Sequence, residues 1–153
     1  GVPTLPLMAT GRVGSEQIAR TEALLDRARD EGLIRVVLIH HPPYVGGAKR
    51  GRELVDAAAF EAMLKRKGAD LVLHGHNHSF SLAWRPGAGR DVPIVGVPSA
   101  SIGPRGHGEL GTWHLFRIEG DAAQPRITLE QRGFEPDGTV IRRQEIALHA
   151  KPA

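Results

Sequence analysis

His40-His41-Pro42-Pro43 and His74-Gly75-His76-Asn77-His78 together hold five of the eight histidines in this chain. Each cluster ends a short apolar run, Val36-Val37-Leu38-Ile39 for the first and Leu71-Val72-Leu73 for the second. Neutral imidazole is a good ligand for first-row divalent metals. With no cysteine in the chain, a metal site must draw on His, Asp, Glu and Asn. Positions i and i+2 of an extended segment project to the same side, so His76 and His78 can serve one ion or two adjacent ones. Gly75 is expected to let the chain bend where a side chain would block it. Three imidazoles, with carboxylates from elsewhere, suit Zn, Mn or Fe. A single histidine at a strand end is more often a plain polar residue than a ligand. For His40, His76 and His78 together the balance reverses, because the chain topology brings all three to one edge. His41 and His74 read as groups that orient ligands, with a satisfied strand-end role also open to His74. His107, His114 and His149 have no such company and read as structural or surface residues.

The elements that position these histidines follow from periodicity and punctuation. Residues 1–14 read as a loop. Ser15 is placed to cap a helix on which Ile18, Thr21, Leu25 and Ala28 recur at helical spacing, and Gly32 supplies its stop. Leu33 to Ile39 is apolar except for Arg35, as expected of a central parallel strand. Pro42-Pro43 ends it. Asp56 is placed to cap a second helix with Ala59, Phe60, Met63 and Leu64 on one face, closed by Gly68. Leu71 to Leu73 is the next strand. A strand–helix–strand crossover makes the two strands parallel, so both histidine clusters lie at the carboxyl edge where open α/β sheets bind ligands. From residue 80 the pattern is β, with strands expected over Phe80–Trp84, Val92–Val97, Thr112–Ile118, Arg126–Arg132 and Thr139–Ala147. Turn signals separate them, Gly103-Pro104 among them, and Ala150 to Ala153 are expected to fray.

Composition narrows the classes of function. At 153 residues the chain fits one domain with a real core. Its 41% hydrophobic and 24% charged residues are those of an ordinary globular protein, and no apolar run approaches the roughly 20 residues of a membrane helix. The formal net charge of +3 is spread over small clusters, Lys49-Arg50-Gly51-Arg52, Lys65-Arg66-Lys67 and Arg142-Arg143. Few aromatics accompany them, which argues against a nucleic-acid partner. The bias to Arg, Ala, Gly and Pro reads as GC-rich, bacterial codon usage. Absent cysteine is compatible with the cytoplasm, and the first residues lack the pattern of a signal peptide. Because the chain opens on Gly1 rather than methionine, it is expected to be a processed product or part of a longer protein. The loop holding Lys49, Arg50 and Arg52 should hang over the histidine edge, either as a solvated loop or as a phosphate contact. Pro98-Ser99-Ala100-Ser101 follows another strand and is open to two readings, a border of the same edge or an ordinary serine-rich loop. Neither a nucleophile elbow, nor a P-loop, nor a dinucleotide fingerprint is present.

His40-His41-Pro42-Pro43 after a buried strand, followed about 35 residues later by Gly75-His76-Asn77-His78, resembles the second half of a calcineurin-like metallophosphoesterase. The resemblance covers residues 15–100 most firmly. It implies an α/β fold in which this chain is the C-terminal part of a four-layer α-β-β-α sandwich, two helices followed by a β-rich half, with residues 1–153 forming one portion of a single domain. It further implies two divalent metal ions (Mn, Fe or Zn), with His40 and His76 on one and His78 on the other. His41, Asn77, Arg50 and Arg52 are candidates for orienting those ligands or touching substrate. The family's Asp-x-His, Gly-Asp and Gly-Asn-His-Asp/Glu motifs, which come nearer the N-terminus, do not occur ahead of His40 here, and its proton-donating histidine lies in that absent region. The catalytic residues are therefore expected in a missing N-terminal portion. The isolated segment is expected to bind metal weakly and to hydrolyse nothing. A half-sheet would leave an edge or face that the missing half covers. The expected activity of the whole is hydrolysis of a small phosphomonoester or phosphodiester. The alternative is a truncated, non-catalytic module that binds metal or acts as a scaffold.

Overall fold

A computed structural model describes residues 9–103 and 110–149. Residues 1–8 of the expected loop, Pro104, His107 and the fraying end at Ala150–Ala153 lie outside the described residues. The order is α1 (Ser15–Asp30), β1 (Val36–Leu38), α2 (Ala57–Lys67), β2 (Leu71–His74), β3 (Ser81–Arg85), β4 (Val92–Gly96), β5 (Thr112–Glu119), β6 (Arg126–Phe134) and β7 (Val140–Ala147). A four-stranded sheet runs β1-β2-β4-β3, and β5-β6-β7 form a three-stranded sheet. β1, β2 and β4 are mutually parallel, and β3 returns antiparallel to β4. The protein is thus a mixed α/β structure with two helices followed by a β-rich half.

The pleat of the four-stranded sheet sorts its side chains between two cores. Val37, Val72, Ile94 and Ala83 face the helices and pack with Ile18, Leu25, Phe60, Met63 and Leu64. Their neighbours Val36, Leu71, Leu73, Leu82 and Val95 face the other way, onto Phe116, Ile127, Leu129 and Ile146 of the second sheet. This period-two sorting lets continuous apolar runs serve two cores at once. Both helices therefore lie on one face of the sheet and β5–β7 on the other. A second helical layer is not present among the described residues.

Two helix caps differ from the local expectation. Gly14, at φ 89°, occupies the N-cap position of α1 and makes no side-chain cap; Ser15 is the first helical residue. Asp56 stands at the N-cap of α2, yet its carboxylate does not cap that helix. It instead accepts the backbone N–H groups of Val13 and Gly14, at 3.0 and 2.7 Å. Asp56 therefore ties the entry of α1 to the entry of α2. The end of α1 follows the sequence: Gly32 (φ 67°) donates to the Arg29 carbonyl and Leu33 to that of Ala28, a Schellman pair.

The larger correction concerns β1. Its apolar run reads as a central strand, but β1 is an edge strand, paired with β2 alone among the described residues. Leu38 is consequently 76% exposed and Leu33 50% exposed. Apolar continuity reports burial on both faces, and burial is what this edge lacks within the described residues. At the opposite end of the strands, Asp70 is fully buried between Arg35 and Arg90, and it also accepts the Arg35 backbone N–H at 2.6 Å. That cluster fixes the start of β2 relative to β1.

Candidate metal centre

The crossover brings both histidine clusters to the carboxyl ends of β1 and β2. Val36, Val37 and Leu38 stand in register with Leu71, Val72 and Leu73. The ladder continues past them, with Ile39 N–H donating to the Leu73 carbonyl and Gly75 N–H to the His40 carbonyl, both at 3.0 Å. His40 and Gly75 are thereby held side by side, and His76 follows at once.

His40, His41 and His76 each offer a ring nitrogen within 4.8 Å of the others. The Nδ1 of His76 lies 3.3 Å from the Nε2 of His40. Two imidazole nitrogens sharing one tetrahedral ion, each about 2.0–2.1 Å from it, would stand about 3.3 Å apart. The His41 ring lies over that of His76 with centroids 4.1 Å apart. His41 Nε2 meets the Ala9 carbonyl at 3.1 Å; a donor there leaves Nδ1 with the free lone pair, the arrangement common among metal-binding histidines. Gly11 backs this ring so closely that a Cβ at position 11 would stand 2.5 Å from its Cε1 and Nδ1.

His76 is the least satisfied member. It is buried, and its Nε2 has no hydrogen-bond partner. A neutral imidazole has one N–H and one lone pair. In either tautomer the Nδ1 contact with His40 uses one of these and leaves the other, at Nε2, buried without a partner. Desolvation, partial at the exposed His40 and joined to burial at His76, is the main cause holding both rings below the ordinary imidazole range. The neighbouring His41 adds to it in each, and the Arg52 backbone opposes the effect at His76. Both rings therefore stay neutral near pH 7, the state a metal requires. The donor set fits a divalent ion that accepts imidazole, although among the described residues no carboxylate joins the group.

The turn that carries these residues is strained. His76 and His78 sit at φ 67° and 55°, a left-handed conformation that costs a side-chain-bearing residue about 1–2 kcal/mol. The segment is therefore not extended, and the i, i+2 argument for His76 and His78 does not apply to it. Gly75 is not the bend: its φ is not left-handed, and a Cβ there would meet nothing closer than 4.0 Å. Strain held at two histidines beside a polar cluster is typical of functional sites.

Of the expected ligands, the structure brings His40 and His76 together. It places His41, read as an orienting group, in the same cluster. His78 stands outside it, exposed, though near enough for its charge to bear on His40. His74 is 2% exposed with both ring nitrogens occupied, Nδ1 at 3.0 Å from the Gly75 carbonyl and Nε2 at 3.5 Å from Ser81 Oγ. Asn77 donates to the Gly47 carbonyl at 2.8 Å, which fastens the 42–52 loop over the site. Arg52 lines a cavity there together with Lys49 and Asn77, and Arg50 is not among its lining residues. Ser99 Oγ lies 3.1 Å from Ser101 Oγ, and the Ser99 carbonyl accepts the Thr112 N–H, so this segment serves the start of β5. His114 faces the core between the sheets and His149 is exposed. Sequence reasoning missed Gly11, which makes room for the His41 ring from far along the chain and leaves no local signal.

No curated protein matches the chain by sequence. Residues 6–80, which carry both histidine motifs and the crossover between them, match the family model described as calcineurin-like phosphoesterase. At the level of that family the activity is metal-dependent phosphoester hydrolysis. It is over this segment, just under half of the chain, that the likeness to the calcineurin-like phosphoesterase family holds.

Proposed function

We propose that this chain is the C-terminal portion of a two-metal phosphoester hydrolase and supplies the histidine ligands of one wall of its centre. The observation that carries the reading is His76, a strained, buried imidazole with an unpartnered nitrogen, clustered with His40 and His41. His40 and His76 would hold one ion and His78 the other, with His41 beside the first. Bound there, Mn, Fe or Zn ions supply Lewis acidity toward phosphoryl oxygens and a water of lowered pKa. The chain's own part is to keep His40 and His76 neutral, aligned and partly dry.

Two observations favour a partial centre. The cluster contains no carboxylate to bridge two ions among the described residues. The open edge of β1 exposes Leu38 where a further strand would cover it. Both fit a four-layer α-β-β-α sandwich whose remaining strands, outer helices and metal-bridging carboxylate come from an N-terminal portion. The substrate in this reading is a small phosphomonoester or phosphodiester in the cytoplasm.

The test compares this chain with the product of the longer reading frame, each supplied with Mn, Fe or Zn and a chromogenic phosphodiester. Weak metal binding without turnover by the chain, and turnover by the longer protein that His76→Ala abolishes, are expected. Turnover by the 153-residue chain itself, lost in His76→Ala, would contradict the partial-centre reading. Metal uptake without turnover by the longer protein would favour a non-catalytic metal-binding module.

A further inference from the structure

Cations are neutralised almost everywhere in this fold except at the histidine edge. Elsewhere among the described residues, every Lys and Arg but the exposed Lys65 pairs with a carboxylate. Arg12, Lys49, Arg50 and Arg52 form no such pair, and all four belong to the segments around His40, His41 and His76. Arg50 bears electrostatically on Glu53, and the Glu53 carboxylate accepts the Arg52 backbone N–H at 2.9 Å. Among the described residues that leaves Arg12, beside His40 and His41 in a different cavity, without a counter-charge, and with it the Lys49 ammonium and the Arg52 guanidinium.

The Lys49 and Arg52 side chains line a cavity of about 490 Å³ together with Gly46, Gly47, Asn77 and Ser79. Among the described residues no carboxylate lines it. Its floor is joined to the metal cluster covalently, since Asn77 follows His76, and by the hydrogen bond from Asn77 to Gly47. An ammonium and a guanidinium facing a polar, acid-free hollow match an anionic oxygen group; guanidinium in particular offers a fork that fits phosphoryl oxygens. The volume falls within the range of small-molecule sites and exceeds what a single phosphoryl group fills. His40 and His76 lie outside this lining, although Arg52 bears on His76, so the hollow adjoins the metal ligands without including them.

We propose that Lys49 and Arg52 form a subsite for a second phosphoryl group, so that the preferred substrate is a phosphoester carrying another phosphoryl group besides the one hydrolysed. The inference rests on the hydrolase reading for the scissile group. The subsite itself holds its anion without metal.

Calorimetric titration of the metal-free 153-residue chain with inorganic phosphate, and separately with zinc, tests it. Lys49→Ala/Arg52→Ala should weaken phosphate binding about tenfold or more, the effect of losing at least one charge-assisted contact, and should not weaken zinc binding. His76→Ala and the exposed His40→Ala should do the reverse. Lys65→Ala should change neither. Phosphate affinity within twofold of wild type in Lys49→Ala/Arg52→Ala overturns the subsite. Phosphate binding lost equally in His40→Ala also overturns it, because the anion would then sit at the histidines. Zinc binding indifferent to both histidine variants sinks the metal-centre reading instead, whatever phosphate does.

Discussion

Replacing His114 by leucine should stabilise the protein, and the gain should grow as the pH falls from 6.5 towards 4. His114 lies on β5 with its ring edge-on to Phe80 and Phe116, at centroid distances of 5.6 and 6.0 Å. Both its ring nitrogens are buried without a hydrogen-bond partner. Burial pushes its pKa from 6.5 down to about 4. In the unfolded chain the ring takes up a proton near pH 6.5, while in the folded protein it stays neutral until about pH 4. Between those values the unfolded state binds more protons, so stability falls as the pH falls. For a fully buried group that gap corresponds to about 3 kcal/mol; this ring is only partly buried, and solvent screening brings the expected loss to about 1–2 kcal/mol. At pH 7 the leucine variant also removes two unsatisfied polar atoms, for a gain of about 1 kcal/mol. Urea unfolding of both proteins at pH 7 and at pH 4.5 measures the double difference, which cancels the titration of the other histidines. A leucine variant less stable at pH 7, or a stability difference that is the same at both pH values, would refute the reasoning.

The glycines of the site make opposite predictions. Gly11→Ala must displace the His41 ring and should weaken zinc binding about tenfold, whereas Gly75→Ala, with open space at its Cβ, should bind zinc within twofold of wild type; calorimetry compares them. Asp56→Ala leaves the Val13 and Gly14 N–H groups without their acceptor and should cost about 2–3 kcal/mol. Circular-dichroism melting of that variant would show an unchanged midpoint only if Asp56 were a solvated surface residue.

Much of this architecture is legible in the sequence, for physical reasons. Ile18 and Leu25 mark the buried face of α1, and the Schellman turn at Gly32 is a local preference that nothing distant overrides. The crossover dictates parallel β1 and β2, which is enough to bring His40 beside His76. The five strands after residue 80 fall within two residues of the expected bounds at each end, because alternation and turn residues are local signals too. What stayed hidden is non-local. Asp56 follows the rule for a cap, yet its carboxylate finds better donors some forty residues away. Gly11 gives no sign in the sequence that it makes room for a histidine ring. The left-handed turns at His76 and His78 contradict the preferences of their residue type and are set by the surroundings. Val36–Leu38 reads as a central strand although, among the described residues, it pairs on one side only.

Metal content tests the central claim most directly. In equilibrium dialysis against free zinc, elemental analysis should find more zinc with the wild-type chain than in the dialysate, and His40→Ala and His76→Ala should each lose most of that excess. Zinc content that is the same in all three proteins, with the fold intact, would contradict the account.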